Sequence, residues 1–287
     1  VDREISQTIE RLTGSRVASA NPLSGGDVAA AYRVDLADGS RVFAKTKAGA
    51  DPSFFATEAA GLRWLGEPSV IPVPQVIGVG DDVPLLALEW IEPGSPTPTT
   101  EADFGRALAA LHQAGPSSFG RADNATTGSL ELPNTQHATW AQALADNRLR
   151  PLARIGLERG AYGQDEADDL ERVADRLPDL VPEEPPARLH GDLWAGNRMI
   201  GAGGRSWLID PAAHGGHREF DLAMMDLFGG FGPACYAAYD DAFPLADGWR
   251  DRIPLHQLAP LAVHAIKFGG GYRPALRRAL EATLTTG

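Results

Sequence analysis

Cysteine is almost missing from this 287-residue chain, where Cys235 stands alone. An intrachain disulfide is therefore excluded, and such usage fits a reducing compartment. Lysine is scarce as well. Lys45, Lys47 and Lys267 are the only three among 26 basic residues, and the rest are arginine. Positive charge is in deficit overall, with 26 Lys+Arg against 38 Asp+Glu and a net charge of −12. A general nucleic-acid binder needs clustered cations, so that class is excluded. No uninterrupted apolar run reaches the ~18 residues of a membrane span. The amino-terminal stretch V-D-R-E-I-S-Q-T-I-E-R-L lacks an apolar signal core, so the expected address is the cytoplasm, with no membrane partner. The motifs G-x-S-x-G, H-E-x-x-H, C-x-x-C and G-x-x-x-x-G-K-[ST] are also absent.

What is present suffices for a core: 43% hydrophobic and 22% charged residues make an ordinary globular balance rather than a disordered one. The first ninety residues read as strands with one helix. Tyr32, Val34 and Leu36 alternate with polar residues, Ala37-Asp38-Gly39 signals a hairpin, and R-V-F-A-K follows as a strand ending at Lys45. Asp51-Pro52 predicts a helix start, with Asp51 as cap and Phe55, Ala59 and Leu62 on the apolar face. Two more strands are expected in I-P-V-P-Q-V-I-G-V-G and V-P-L-L-A-L-E-W-I. Composition then shifts to the Pro/Ser/Thr-rich stretch 92–100, where Thr100 and Asp103 predict a capped helix. Beyond it the pattern is mainly helical, with Leu170, Val173 and Leu177 on one stripe. A long polar segment, Phe119 to Thr139, interrupts it. The expectation is an α+β chain: a small β-rich lobe over 1–91, a linker over 92–100 and a larger helical lobe over 101–287. A cleft between unlike lobes would be a natural ligand site.

The strongest chemical signal is L-H-G-D-L-W-A-G-N over 189–197, followed by W-L-I-D over 207–210. Asp192 and Asn197 are five residues apart, and Asp210 follows Asn197 by thirteen. An acid, an amide oxygen and a second acid form a set of hard oxygen ligands, which Mg²⁺ prefers to share with phosphates. In the phosphoryl-transfer pattern the first Asp is the base, and the Asn and the later Asp hold metal. Gly191 stands where protein kinases carry the Arg of His-Arg-Asp, which favours small-molecule acceptors. Upstream, Lys45 ends an apolar strand, and Glu58 shares a helical face with Phe55 and Leu62. Opposite charges so placed predict a Lys45–Glu58 pair that steadies nucleotide phosphates. Gly25 and Gly26 in L-S-G-G-D let backbone N–H groups approach a phosphate, although the same pair serves an ordinary turn. Glu89, Trp90 and Ile91, entering the linker, are the candidate backbone contacts for adenine. A rival metal cluster of His214, His217, Glu219 and Asp221 has a loop spacing rather than a helical one. His112, His137, His256 and His264 read as ordinary core or surface histidines.

These residues resemble the fructosamine kinase, or ketosamine-3-kinase, family, a branch of the protein-kinase-like superfamily that includes aminoglycoside phosphotransferases and choline kinases. His190 to Asn197, with Trp194 and Gly196, is similar to the family's H-G-D-L-W-x-G-N. Asp210-Pro211-Ala212, Arg218 to Met224 and Leu227 to Phe231 resemble its D-P-A…E-x-D-L-A-M…L-F-G-G-F stretch. Phe119-Gly120 through Asn124 to Trp140, and Phe268 to Tyr272, resemble further segments, so the likeness runs nearly end to end. Asp27 departs from members that carry a cysteine in the glycine-rich loop, so redox control there is not expected.

The resemblance implies a two-lobed protein-kinase-like fold and transfer of phosphate from ATP, with Mg²⁺, to the 3-hydroxyl of a ketosamine. The acceptor would be a small-molecule fructosamine or ribulosamine, or a glycated protein lysine. Asp192 would act on the hydroxyl, Asn197 and Asp210 would hold Mg²⁺, and Lys45 with Glu58 would steady the phosphates. Trp194 would stack on the sugar or pack under the loop, while His190, Glu219 and Asp221 would support it. The protein would be a monomer or homodimer. The alternatives are a kinase of another alcohol such as an aminoglycoside or choline, a nucleotide-binding pseudokinase, and a metal hydrolase using His214 and His217.

Overall fold

Asp51 caps a helix start, as its sequence position predicts: its side chain accepts from Ser53 N–H at 2.8 Å in a computed structural model of the chain. The structure describes residues 2–23, 29–123, 130 and 132–285. The glycine-rich loop with Gly25 and Gly26 lies outside the described residues, as does Asn124. The turn Pro52–Phe55 is a short 3-10 helix, and the α-helix proper follows it over Ala56–Gly66.

The chain divides into two compact units. The first comprises Val1–Thr97 and Met199–Asp210. Helix α1 (Arg3–Thr13) is capped by Asp2 and ends on Gly14. Strands β1 (Val17–Leu23), β2 (Ala30–Leu36), β3 (Arg41–Thr46), β4 (Val76–Val79) and β5 (Leu85–Glu89) form one antiparallel sheet in the order β1-β2-β3-β5-β4. Helix α2 is Ala56–Gly66. The sheet is apolar on both faces because each face is covered. Ile9, Val34, Leu36, Val42, Ala44 and Leu85 make one layer. Phe55, Ala59, Leu62, Leu86 and Leu88 make the other. Leu85 and Leu86 thus serve opposite layers, as the period of two along a strand requires. Each fully buried Leu contributes about 1.5–3 kcal/mol to that packing.

The second unit comprises Pro98–Arg198 and Pro211–Gly287. Its helices are α3 (Thr100–Gln113), α4 (Trp140–Leu144), α5 (Arg150–Glu158), α6 (Gln164–Leu180), α7 (Glu219–Phe228), α8 (Pro233–Ala242), α9 (Ile253–Phe268) and α10 (Tyr272–Thr285). Thr100 was expected to cap α3 but is its first residue, with Thr99 at the flank. The stripe Leu170, Val173 and Leu177 is fully buried. Two short strands of this unit, β6 (Ala187–Leu189) and β9 (His214–Gly216), join its helices, whereas β7 (Arg198–Ile200) and β8 (Ser206–Leu208) fall in or at the edge of the first unit's Met199–Asp210 segment. Strand β6 pairs with β9, Leu189 opposite His214, and this ladder delivers the chain to His190.

The long polar segment is pinned rather than loose where it is described. Gly120 exchanges backbone bonds with Gly215 at 2.8 and 3.0 Å. The buried guanidinium of Arg148 donates to Pro133 O at 2.6 Å and Asn134 Oδ1 at 3.2 Å. Burial pushes the Arg148 pKa down to about 10.

The sequence division at 91 and 100 and the structural one at Thr97/Pro98 lie close together. Met199–Asp210, assigned from sequence to the helical part, clusters instead with the sheet unit. Leu208 N–H donates to Pro72 O at 3.0 Å and Gly94 N–H to Ile200 O at 2.8 Å, and these backbone bonds hold it there. Among the described residues no helix is long and apolar enough to cross a membrane.

Candidate active site

In the sheet unit, Lys45 sits on β3 opposite Leu86, and its neighbours on the strand face the two apolar layers. Its ammonium therefore leaves the strand with few polar partners to choose from. It takes two carboxylates: Glu58 Oε1 at 3.1 Å and Asp210 Oδ1 at 2.8 Å. Burial alone would lower the Lys45 pKa, but the charges of Asp210 and Glu58 outweigh it and the pKa is raised. Burial pushes Glu58 up, with the Asp210 charge adding to it against the opposing pull of Lys45. Asp210 has a left-handed backbone, φ 50°, and a side chain that is 45% exposed.

Glu89 is tied to the start of β4: its N–H donates to Gln75 O at 2.9 Å and its carboxylate accepts from Gln75 N–H at 3.1 Å. The Trp90 indole donates to Glu92. The register of β3 with β5 turns Trp90 N–H toward Arg41, while the N–H of Ile91 has no hydrogen-bond partner among the described residues. Ile91 thus keeps an unused donor just past the end of β5.

In the helical unit, the segment 190–197 is a folded loop. Gly191 has φ +80°, and a Cβ there would fall 2.2 Å from Ala212 O. Only glycine fits both conditions, which is the local reason for H-G-D. Asp221, fully buried at the start of α7, accepts from His190 N–H at 2.7 Å and Gly191 N–H at 2.9 Å. His112 Nε2 lies 3.3 Å from the same carboxylate, and His112 Nδ1 lies 2.7 Å from the Tyr239 hydroxyl. His190 Nδ1 accepts from Asp192 N–H at 3.2 Å. His190 is thus a holder of the loop.

Glu219 does not share that work, contrary to expectation. Two residues before Asp221 on a helix, it points about 200° away. Its carboxylate is taken by Arg252 at 2.6 and 2.8 Å.

Asn197 spends its amide N–H₂ on Asp192, reaching the main-chain oxygen at 2.9 Å and Oδ2 at 3.2 Å. Its Oδ1 is left without a partner among the described residues. Burial raises the Asp192 pKa, while the charges of His190 and His264, the Asn197 bond and Lys267 pull against it. An amide oxygen, as on Asn197 in the helical unit, and a carboxylate, as on Asp210 in the sheet unit, each belong to the donor class Mg²⁺ takes.

Trp194 is 42% exposed, with its ring folded back over Gly196 and its edge toward Phe228 at 6.3 Å between centroids. His264 joins this surface, 5.0 Å from the Phe228 ring, 5.4 Å from Phe268 and 5.0 Å from Tyr272. Sequence reasoning missed His264. The available signal was its spacing: His264, Phe268 and Tyr272 recur every four residues beside a glycine run.

The rival histidine cluster is a charge network. His214 Nδ1 lies 2.8 Å from Ala212 O and so carries the proton there. His217 Nδ1 accepts from Glu219 N–H, which puts the proton on Nε2. His217, Glu219 and His256 do have ligand atoms within 4.8 Å of one another. However, Arg252 already neutralises Glu219, and a protonated Nε2 offers no lone pair to a metal.

The comparisons agree along the whole length. The family model described as fructosamine kinase matches residues 1–286. A probable ketoamine kinase of Lactiplantibacillus plantarum is 34% identical over 268 residues, covering 92% of this chain and 94% of the relative. A solved structure from Thermobifida fusca, titled as a candidate fructosamine-3-kinase, is 42% identical with a TM-score of 0.90, covering 99% of both chains. The choline kinase LicA of Streptococcus pneumoniae, 15% identical with a TM-score of 0.65 over 98% of both chains, shares the fold alone. The chain thus belongs to the fructosamine kinase family, ATP-dependent phosphotransferases on a protein-kinase-like α+β fold.

Proposed function

We propose that the chain transfers the γ-phosphoryl group of ATP to the 3-hydroxyl of a ketosamine, in the cytoplasm, as the first step of deglycation. The observation that carries this reading is Asp192. It is a half-buried carboxylate held by Asn197, in a loop that also presents the half-exposed Trp194. The aromatic surface of Trp194, Phe228, His264, Phe268 and Tyr272 suits the C–H face of a sugar. The Nε2 of His264 is free to accept a hydroxyl proton, because Nδ1 lies 2.8 Å from Pro260 O.

In this reading Asp192 orients the acceptor hydroxyl and takes its proton, which is worth ~10²–10⁴ in rate. Lys45, braced by Glu58, neutralises phosphate charge. Asn197 and Asp210 would hold Mg²⁺, which would supply neutralisation of phosphate charge when bound. Backbone groups of Glu89 to Ile91 meet adenine. Positioning and electrostatics account for most of the acceleration.

The test is phosphate transfer from Mg-ATP, read by mass spectrometry on fructoselysine, ribuloselysine, an aminoglycoside and choline, with Asp192→Ala as control. A phosphorylated ketosamine that the variant fails to make is the expected result. Product only on the aminoglycoside or choline would replace the acceptor and keep the kinase. ATP binding without any product would leave a pseudokinase.

A further inference from the structure

Next to the catalytic loop, on the helical unit, is a pocket of about 480 Å³ that the phosphoryl-transfer machinery does not use. Its walls are Phe231, Tyr236 and Trp249, and its charges are Asp240 and Arg250. Tyr236 and Trp249 stack at 6.3 Å between centroids and 21° between planes. The Arg250 guanidinium lies 4.4 Å over the Trp249 ring. Tyr236 and Asp240 are four residues apart on α8, so one helical face carries both. Asp240 uses one oxygen to accept from Leu245 N–H at 2.8 Å. Arg250 has no ion pair or hydrogen bond among the described residues, and Asp240 is not paired with it.

The pocket is joined to the catalytic loop by one contact. Gly230, at φ +89°, lies so close to that loop that a Cβ on it would sit 2.4 Å from Ala195 Cβ. Phe231, the next residue, is a pocket wall. Ala195 is three residues from Asp192, hence at most about 11 Å along the chain, and the pocket wall begins one residue beyond the Gly230 contact, so the pocket lies on the order of 10 Å or somewhat more from Asp192. In a sugar joined to a lysine side chain as a ketosamine, eight bonds separate C3 from the lysine Cα. At the extension of a backbone that is about 10 Å.

We propose that this pocket is the subsite for the α-amino-acid end of the acceptor. Arg250 takes the α-carboxylate, Asp240 takes the α-ammonium, and the aliphatic stem lies along Tyr236 and Trp249. The inference rests on the ketosamine reading and sharpens it. Both charges exist in free glycated lysine, and both are lost when that lysine sits within a polypeptide. The preferred acceptor is therefore the free glycated amino acid.

The experiment compares kcat/KM for fructoselysine with that for its Nα-acetyl, carboxyl-methylamide derivative, which has the same reach and neither charge. It is run on the unchanged protein, Arg250→Ala and Asp240→Asn. Both substituted side chains are exposed, and the thermal midpoint of each variant is measured alongside. The unchanged protein is expected to favour the free amino acid by about tenfold, the scale of two partly exposed charge contacts. Each substitution is expected to cut that ratio several-fold. A ratio near one in the unchanged protein, or a ratio that neither substitution moves, overturns the subsite while leaving ketosamine kinase activity in place. If neither ketosamine is turned over by the unchanged protein, the ketosamine reading fails and the subsite falls with it.

Discussion

The carboxylate of Asp221 holds the backbone of His190, accepting its N–H at 2.7 Å and that of Gly191 at 2.9 Å. The contact is fully buried, and it is where helix α7 meets the loop that carries Asp192. His112 and Tyr239 extend it inward, so the loop is anchored in the core of the helical unit by a chain of three polar side chains, Asp221, His112 and Tyr239. Burial works against the Asp221 charge, but His112 and the loop N–H groups leave its pKa below the ordinary value.

Asp221→Ala is expected to cost about 3 kcal/mol, because it strands two buried N–H donors and an imidazole. Asp221→Asn keeps one acceptor oxygen and is expected to lose less stability while still lowering kcat. Urea unfolding together with steady-state rates checks both. A fully stable, fully active alanine variant would remove Asp221 from the account.

Gly191→Ala is expected to cost about 2 kcal/mol or more, since a Cβ there meets Ala212 O at 2.2 Å and the backbone is left-handed. The loss should show in the thermal midpoint and in kcat together, because the same atoms set the loop. A methyl tolerated without effect on either would show that the loop relaxes freely.

Asp192→Asn is expected to lower kcat by ~10²–10⁴ with nucleotide affinity retained. Fluorescent-nucleotide titration beside the transfer assay separates the two quantities. Loss of nucleotide binding with it would place Asp192 among the ATP contacts instead.

Lys45→Ala removes the cation between Glu58 and Asp210 and leaves two carboxylates facing each other. The KM for ATP is expected to rise at least tenfold, the scale of one lost charge-assisted contact. Glu58→Gln keeps the cation and is expected to do less. ATP titrations of both variants decide this, and an unchanged KM in Lys45→Ala would break the phosphate assignment.

Acid sensitivity follows from three buried groups. Burial holds His214 and His217 neutral in the fold, with pKa values down at about 3. The unfolded chain binds those protons near the ordinary 6.5, so stability falls as pH drops from 6.5 toward 3. The slope is at most about 1.4 kcal/mol per pH unit for each histidine. Glu219 runs in the same direction over a lower window. Burial would raise its pKa, but Arg252 and His256 hold it at about 2, so its contribution, present above the unfolded value, is lost between about 4.5 and 2. Urea midpoints at pH 7, 5.5 and 4 should fall steadily, and His214→Asn should flatten the upper part of the curve. A midpoint constant from pH 7 to 4 would contradict the buried neutral state.

Much of the fold is legible in the residue pattern. Alternation in Tyr32, Val34 and Leu36, the Asp38-Gly39 turn and the Asp51-Pro52 helix start are local signals, and local backbone physics carries them out. The Lys45–Glu58 contact is legible for a related reason: one residue ends a strand, and the other shares a helix face with apolar neighbours. The membership of Met199–Asp210 in the sheet unit is not legible, because backbone bonds to Pro72 and Gly94 leave no trace in side-chain pattern. The separate tasks of Glu219 and Asp221 are equally hidden, since both are acids at one helix start and only the rotation of the helix parts them.

Residue pattern alone sets the element types, the acid–amide–acid spacing from Asp192 to Asp210, and the family to which the chain belongs. Those depend on short-range periodicity and on the identity of groups within a few residues. It takes the folded chain to show that Asp210 shares Lys45 with Glu58, and that His112 and Tyr239 stand behind the loop. The fold alone brought His264 to the surface around Trp194 and left Arg250 and Asp240 unpaired on one pocket. Those contacts join residues far apart in the chain. Their partners are set by which faces pack, and packing is chosen by the whole core at once.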